Sequence, residues 1–439
     1  MLQVAAVGTD PLDPSSPTRR PDSFGGKLLV TYRLDPSQAV YDATAAAFRQ
    51  RYPGVELERL DLGANAQTYD TPLLTMHVAG TPPDVYWLRS AQFASFIGKR
   101  LLLDLQPYAR RDAKRAQLED IYPGILDQYR VRDALYGLPS DGGGPVLFWN
   151  VGLFEQGAYP SPGAAQEAGR WTAEAFLDTA QKLTKRVAGK PEVWGTEGVL
   201  FSQSIWLAMV WAFGGDFVDR DWTSIVLHEP PAVQGLQWMQ DLYARHGVMP
   251  TVGELKELET REPIDRRELF KRGRLGTLVD WTTAIGFGRF PEAEKQGLRW
   301  DATLLPAGKA GHFSVAFFHA FAAAGVTKNP DLAWEAATFF CDADAVLERS
   351  VAGVTQPFRR SAATAPRYVS SLPPTFARHT NRVGERSRPM ALIVDEQGAL
   401  AKVVNDEITA LREGQRPAAA VAQAIKQQGD PILKQLPRL

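Results

Sequence analysis

Few residue constellations in this chain could make or break bonds. No Gly-x-Ser-x-Gly occurs, so a serine-hydrolase elbow has no anchor. His228-Glu229 runs into Pro230-Pro231, and proline there bars the helix that would present two histidines to one zinc. Gly142-Gly143-Gly144 lacks the Gly-Lys-Ser/Thr ending of a phosphate loop, and Gly286-Phe287-Gly288 lacks the third glycine of a dinucleotide fingerprint. The 6 histidines are scattered; only His312 and His319 are near neighbours, and seven residues along a strand put them on opposite faces. Cys341 is the single cysteine, so neither an intramolecular disulfide nor a CxxC zinc site can form. No metal and no cofactor are therefore expected. With 50 carboxylates some pair must line any cleft, so counting does not exclude a glycosidase, but no particular pair stands out.

The aromatic residues are more informative. The chain carries 11 tryptophans in 439 residues. An indole offers a broad apolar face and one polar N–H, which suits it to a partner that is apolar on one side and polar at its rim. Sugar rings have that character: their C–H faces stack on indoles, and their hydroxyls bond to Asp, Glu and Arg. Trp87, Trp149 and Trp281 are each expected at a strand end. Trp206 and Trp211 lie on an apolar helix, where core packing is the simpler reading for each taken singly. Trp171, Trp194, Trp222, Trp238, Trp300 and Trp334 are assigned to structure.

The elements that must position these rings follow from periodicity. Residues 27–34 read as a strand; Asp35 and Pro36 then open a helix that ends at Pro53-Gly54. A strand over 55–62, a helix over 67–79 and a strand over 84–88 complete β-α-β-α-β, so the class is α/β with mostly parallel strands. In such sheets ligands sit beyond the carboxyl ends of the strands, which here are Arg33-Leu34-Asp35 and Trp87-Leu88-Arg89. Asp35 reads equally as a helix cap, and Arg89 as a solvated charge. Gly142-Gly143-Gly144-Pro145, between two strand-like segments, reads as a crossover or hinge, with an ordinary loop as the plain alternative. Helices follow over 172–187, 204–213, 231–246 and 330–346, with extended runs at 275–281, 301–306 and 313–324. Residues 9–23, rich in Pro, Ser and Asp, have no such period and read as a tether. No export signal is legible in them, which fits a cytosolic protein or an exported one whose signal has been removed. A net charge of −1 gives no bulk attraction for nucleic acid, and no apolar run of 18 residues spans a membrane.

Several ordered stretches together carry a resemblance. They are Phe48-Arg49-Gln50-Arg51-Tyr52-Pro53-Gly54-Val55, Ala79-Gly80-Thr81-Pro82-Pro83-Asp84-Val85, Tyr136-Gly137-Leu138-Pro139 with Val146-Leu147-Phe148-Trp149-Asn150, and Trp171-Thr172-Ala173-Glu174-Ala175-Phe176. Ala212-Phe213-Gly214-Gly215-Asp216, Leu304-Leu305-Pro306-Ala307-Gly308 and the Asn-Pro-x-x-Ala-Trp helix from Asn329 to Phe340 continue it. In order and spacing the set, spread over about residues 27–430, resembles the extracellular solute-binding proteins of family 1, the maltose-binding-protein-like receptors of ABC importers. The resemblance implies a two-lobed periplasmic-binding-protein-like fold, its lobes interleaved through hinge crossovers and closing on ligand. It implies no catalysis, a carbohydrate ligand, a membrane permease as partner, no nucleic acid, and a monomer. It places the protein outside the cytoplasm, at the periplasm or the outer membrane face, with or without a lipid anchor; no lipobox cysteine precedes the tether. The expected division is a tether at 1–26, one lobe from 27–139 plus 308–355, and a second from 140–307 plus 356–439.

The resemblance also nominates ligand-binding residues: Asp35, Trp87, Arg89, Asp141, Trp149, Gln203, Trp206, Asp280, Trp281, Phe318, His319 and Arg359. Where relatives often read Gly-Gly after Pro-Ala-Gly, this chain reads Phe317-Phe318-His319, which narrows the pocket. Two rival readings stand beside a sugar receptor. One is a binder of a polyol or a glycerol phosphate in the same fold, served by Arg33, Arg89 and Arg359. The other is a glycan-active hydrolase.

Overall fold

The computed structural model describes residues 24–32, 38–63, 66–262, 264–288, 290–390 and 398–435. Ten strands matter for the site: β1 Gly26–Thr31, β2 Val55–Arg59, β3 Val85–Leu88, β4 Leu138–Gly142, β5 Pro145–Asn150, β6 Thr277–Trp281, β7 Trp300–Thr303, β8 Ser314–Ala316, β9 Phe318–Ala323 and β10 Ser387–Pro389. Five form one sheet in the order β2-β1-β3-β9-β4, three form a second in the order β6-β5-β7, and β8 pairs with β10.

In the first sheet β1, β2 and β3 run parallel, with Leu28 opposite Leu57 and Val30 opposite Val85. The Gln38–Arg51 helix that joins β1 to β2 puts Tyr41, Ala45 and Phe48 into the core, a three-to-four-residue spacing that keeps one face inward. β9 runs antiparallel to both β3 and β4. The carboxyl ends of β1, β3 and β4 and the amino end of β9 therefore share one edge.

The second lobe reverses that geometry. β5 enters its sheet from the crossover, and β6 and β7 are both antiparallel to it, so Trp281 pairs with Pro145 at the crossover edge while Thr277 pairs with Trp149 at the far edge. Behind this sheet the Gln203–Ala212 helix is buried from Ser204 to Ala212, as expected of a helix apolar on every face.

Two sets of apolar side chains give each lobe its own core. Leu28, Trp87, Leu138, Phe321, Trp334 and Phe358 cluster in one; Leu147, Trp206, Val279, Leu305, Val315 and Val421 cluster in the other. The chain passes between sheets at Gly143-Gly144 and again at Phe317, so the 313–324 run is two strands in two lobes, not one. The passages touch backbone to backbone. Gly143 N–H donates to the Phe317 carbonyl at 3.0 Å and Gln356 N–H to the Gly142 carbonyl at 2.8 Å. Glycine is required here: a Cβ on Gly143 would stand 2.0 Å from the Thr282 hydroxyl oxygen and one on Gly144 2.1 Å from that of Ser314. Gly142 adds a φ of +143°, a region that side chains disfavour. Among the described residues no helix is long and apolar enough to cross a membrane.

Candidate functional site

The first lobe brings its polar chemistry to the crossover edge. Trp87 closes β3 there and is 1% exposed. The Tyr69 ring stands edge-on to it at 5.6 Å, and the Tyr69 hydroxyl donates to the Trp87 carbonyl at 2.8 Å. The indole N–H donates to Asp141 Oδ1 at 2.5 Å. Tyr41 donates to the same oxygen at 2.5 Å and the Ser140 hydroxyl at 2.9 Å. Burial beside that carboxylate holds the Tyr41 phenol well above its ordinary range, so it stays a donor. Three donors thus anchor one carboxylate oxygen. Asp141 Oδ2 has no hydrogen-bond partner among the described residues, and it is not sealed from solvent. Arg89, just past β3, pairs with Asp70.

An aromatic run leads from this point into the second lobe. The His319 ring lies 4.5 Å from Trp87, and its Nδ1 accepts from Ser90 N–H at 3.4 Å. Phe317 follows at 5.6 Å from His319, and Trp281 lies 5.9 Å from Phe317 with ring planes only 19° apart. Trp281 Nε1 donates to the Ser204 hydroxyl at 2.8 Å, which fixes the indole by its polar edge. Phe201 stands edge-on to Trp281 at 5.7 Å and is 39% exposed. The Arg266 guanidinium then lies 3.3 Å from the centre of the Phe201 ring. His319, Phe317, Trp281 and Phe201 are all partly exposed.

This places the nominated residues. Trp87, Arg89, Asp141, Gln203, Trp281 and His319 come to the crossover edge. Asp35 lies outside the described residues, as does Arg33. Trp149 does not face the crossover: β5 runs away from it, so Trp149 packs with Phe154 and Leu183 at the far edge. The expectation took every strand end to be a carboxyl end at the cleft, and β5 has the opposite sense. Trp206 is 1% exposed inside its helix core. Phe318 is fully buried against Phe358 because alternation along β9 sends Phe317 and His319 to one face and Phe318 to the other. Asp280 is also fully buried and accepts from Arg266 at 3.1 Å and Arg267 at 2.7 Å. Arg359 caps the carbonyls of Cys341, Gln117 and Ala116 at 2.7–3.0 Å and is 2% exposed, so it serves structure.

Sequence reasoning missed Phe201, Ser204 and Arg266 as neighbours of Trp281. Phe317, expected only to narrow the pocket, joins them. Its signal was present, since the period of two that pairs it with His319 is legible in the sequence. Phe201 and Arg266 had none: 65 residues of chain separate them before the fold joins them.

An open cavity of about 1270 Å³ lies elsewhere, at the far end of the second sheet beside Asn150, Arg267, Lys271, Phe287 and Arg299. Its cations are already paired: Arg267 with Asp280, Lys271 with Glu268, and Arg299 with Glu155. The crossover edge, with ring faces and an unbonded carboxylate oxygen, is the better candidate. Among the described residues no cluster could hold a metal ion.

Comparison with known proteins agrees with this fold. An ABC substrate-binding protein from Listeria monocytogenes in complex with cycloalternan superposes with a TM-score of 0.77 at 18% identity, over 93% of this chain and 99% of that one. The sugar-binding protein MalE from Xanthomonas citri gives 0.78 at 17% identity, over 93% and 97%. UgpB from Mycobacterium tuberculosis in complex with glycerophosphocholine gives 0.73 at 17% identity, over 93% and 98%. At such identities these likenesses establish the two-lobed fold. No curated protein sequence matches the chain. The bacterial extracellular solute-binding protein profile matches residues 34–346, more than half of the sequence, and the chain belongs to that family.

Proposed function

We propose that this protein is the extracytoplasmic receptor of an ABC importer and takes a sugar or oligosaccharide between its lobes. The observation that carries the reading is the run of rings from Trp87 through His319, Phe317 and Trp281 to Phe201, which crosses from one lobe to the other beside Asp141 Oδ2. Ring faces suit the apolar C–H surface of a sugar, and a fixed carboxylate oxygen suits a hydroxyl donor. The glycine passages beneath supply a flexible joint on which the lobes can close. The protein acts by binding, as a monomer, and delivers its ligand to a membrane permease. The likeness to receptors solved with cycloalternan and with glycerophosphocholine supports a polyhydroxylated ligand.

The test is a thermal-shift panel of mono- and oligosaccharides, polyols and glycerophosphodiesters, followed by assay of any hit for turnover. A true ligand at about 100 times its Kd adds about 2.7 kcal/mol of stability, which is a rise of a few degrees without turnover. Silence across the panel, or hydrolysis of a hit, would refute the reading.

A further inference from the structure

We propose that the ligand carries an anionic oxygen group, a phosphoryl or carboxylate, seated against Arg266 at the second-lobe end of the aromatic run. This rests on the saccharide-receptor reading above and adds the ligand's charge to it. The first observation is a shortage of buried acceptors in the wall below Phe201 and Trp281. Asp280 accepts two hydrogen bonds from Arg267, at 2.7 and 3.1 Å, one from Arg266 at 3.1 Å, and one from the Trp281 N–H at 2.8 Å. Glu197, 2% exposed, takes Arg412 at 3.1 Å. Three guanidiniums therefore share two buried carboxylates, with the exposed Asp265 as a further carboxylate beside Arg267.

Arg266 is the guanidinium left short of acceptors. Its Nη2 reaches Asp280, but its Nε is buried without an acceptor, and its Nη1 has none among the described residues. The face of the guanidinium is covered by Phe201 at 3.3 Å, so further acceptors must come to its edge. A nearly buried guanidinium short of acceptors is costly, and a ligand oxyanion would relieve it.

The second observation is independent of that count. The Gln203–Ala212 helix begins at the same place, with Trp281 Nε1 bonded to Ser204 Oγ. Ser202 stands at its N-cap, and its hydroxyl bonds to the Ser204 hydroxyl at 3.0 Å, not to a backbone N–H of the helix. The Gln203 and Ser204 N–H groups have no acceptor among the described residues, and Gln203 Nε2 is buried without a partner. An open helix start carries partial positive charge and ready donors. The guanidinium thus lies on Phe201, two residues before the side-chain amide that opens this helix. The first-lobe end is the opposite: Asp141 Oδ2 can only accept, and Arg89 is already paired with Asp70. The ligand is thereby oriented, hydroxyls toward Asp141 and the anion toward Arg266.

The experiment is calorimetric titration of the full chain with matched probes: glucose 6-phosphate, glucuronate and glucose, then glycerol 3-phosphate and glycerol. At low salt the anionic member of each set should bind at least about tenfold tighter than its neutral parent, and the gap should shrink near about 0.5 M salt. Preference for glucose 6-phosphate over glucuronate would mark a phosphoryl group, the reverse a carboxylate. Arg266→Gln should bring the anionic-to-neutral ratio toward one, and Arg266→Lys should restore part of it. Equal affinity for charged and neutral members, unmoved by salt, would overturn the charge assignment and leave the saccharide reading standing. Tight binding of glycerol 3-phosphate with no sugar bound would support the charge and overturn the saccharide reading. Should Arg266→Gln fail to fold, the matched pairs and the salt series on the native chain decide the matter.

Discussion

Trp87 and Trp281 close comparable strands on the two lobes, yet the lobes use them in different ways. Trp87 is almost wholly buried, and its N–H is committed to Asp141. Its work is to aim a carboxylate. Trp281 is partly exposed, held at its polar edge by Ser204 and laid nearly parallel to Phe317. It presents a ring face. One lobe thus offers an oriented acceptor on a rigid base, and the other offers apolar surface next to a guanidinium short of acceptors. A strand-end tryptophan is therefore not by itself a stacking platform; what its N–H bonds to, and what covers its face, decide the role.

The sharpest way to break this comparison is to remove each indole in turn. Trp87→Ala empties a packed site between Tyr69, His319 and Asp141 and should cost about 3–5 kcal/mol of stability, seen as a lower urea midpoint. A small loss would mean that Trp87 is not the base described. Asp141→Asn is subtler. The amide oxygen can keep the donors of Tyr41, Trp87 and Ser140, while the amide nitrogen replaces the outward acceptor with a donor. Stability should fall by only about 1 kcal/mol and affinity for a saccharide by about tenfold to a hundredfold. The reverse pattern, with stability lost and affinity kept, would move Asp141 from recognition to structure.

A smaller effect probes the first lobe alone. Burial against Tyr86 and Phe96 lowers the His77 pKa to about 4 from the usual 6.5. The folded state therefore resists a proton that the unfolded chain accepts, so the contribution of His77 is complete above pH 6.5 and is lost as pH falls toward about 4. Urea titrations across that window should show a slope that His77→Gln reduces by about 1 kcal/mol, a figure already lowered for the ring's partial exposure. An unchanged slope would show the ring is not shielded.

The fold was legible because its signals are local. Strand, cap and stop residues between 27 and 88 predict β-α-β-α-β, and three glycines mark a passage where side chains would collide. The site was legible only in part. Trp87, Asp141 and Trp281 lie where local pattern put them. Trp149 does not, because strand direction depends on which lobe a strand enters, and that is set by pairing far along the chain. The resemblance nominates Asp280 and Arg359, but their partners, Arg266 with Arg267 and the carbonyls of Ala116 and Gln117, come from distant or unpatterned segments. Exposure separates a ligand residue from a buried ion pair, and it is a property of the folded chain.

The central claim is that the Trp281 face meets the ligand. The most direct measurement is the Kd of Trp281→Ala, with Trp149→Phe as its far-edge control, for the saccharide that most raises the melting temperature. The account predicts at least about a tenfold loss for Trp281→Ala, in line with one lost ring contact, and no loss for Trp149→Phe. An unchanged Kd in a folded Trp281→Ala protein would contradict it.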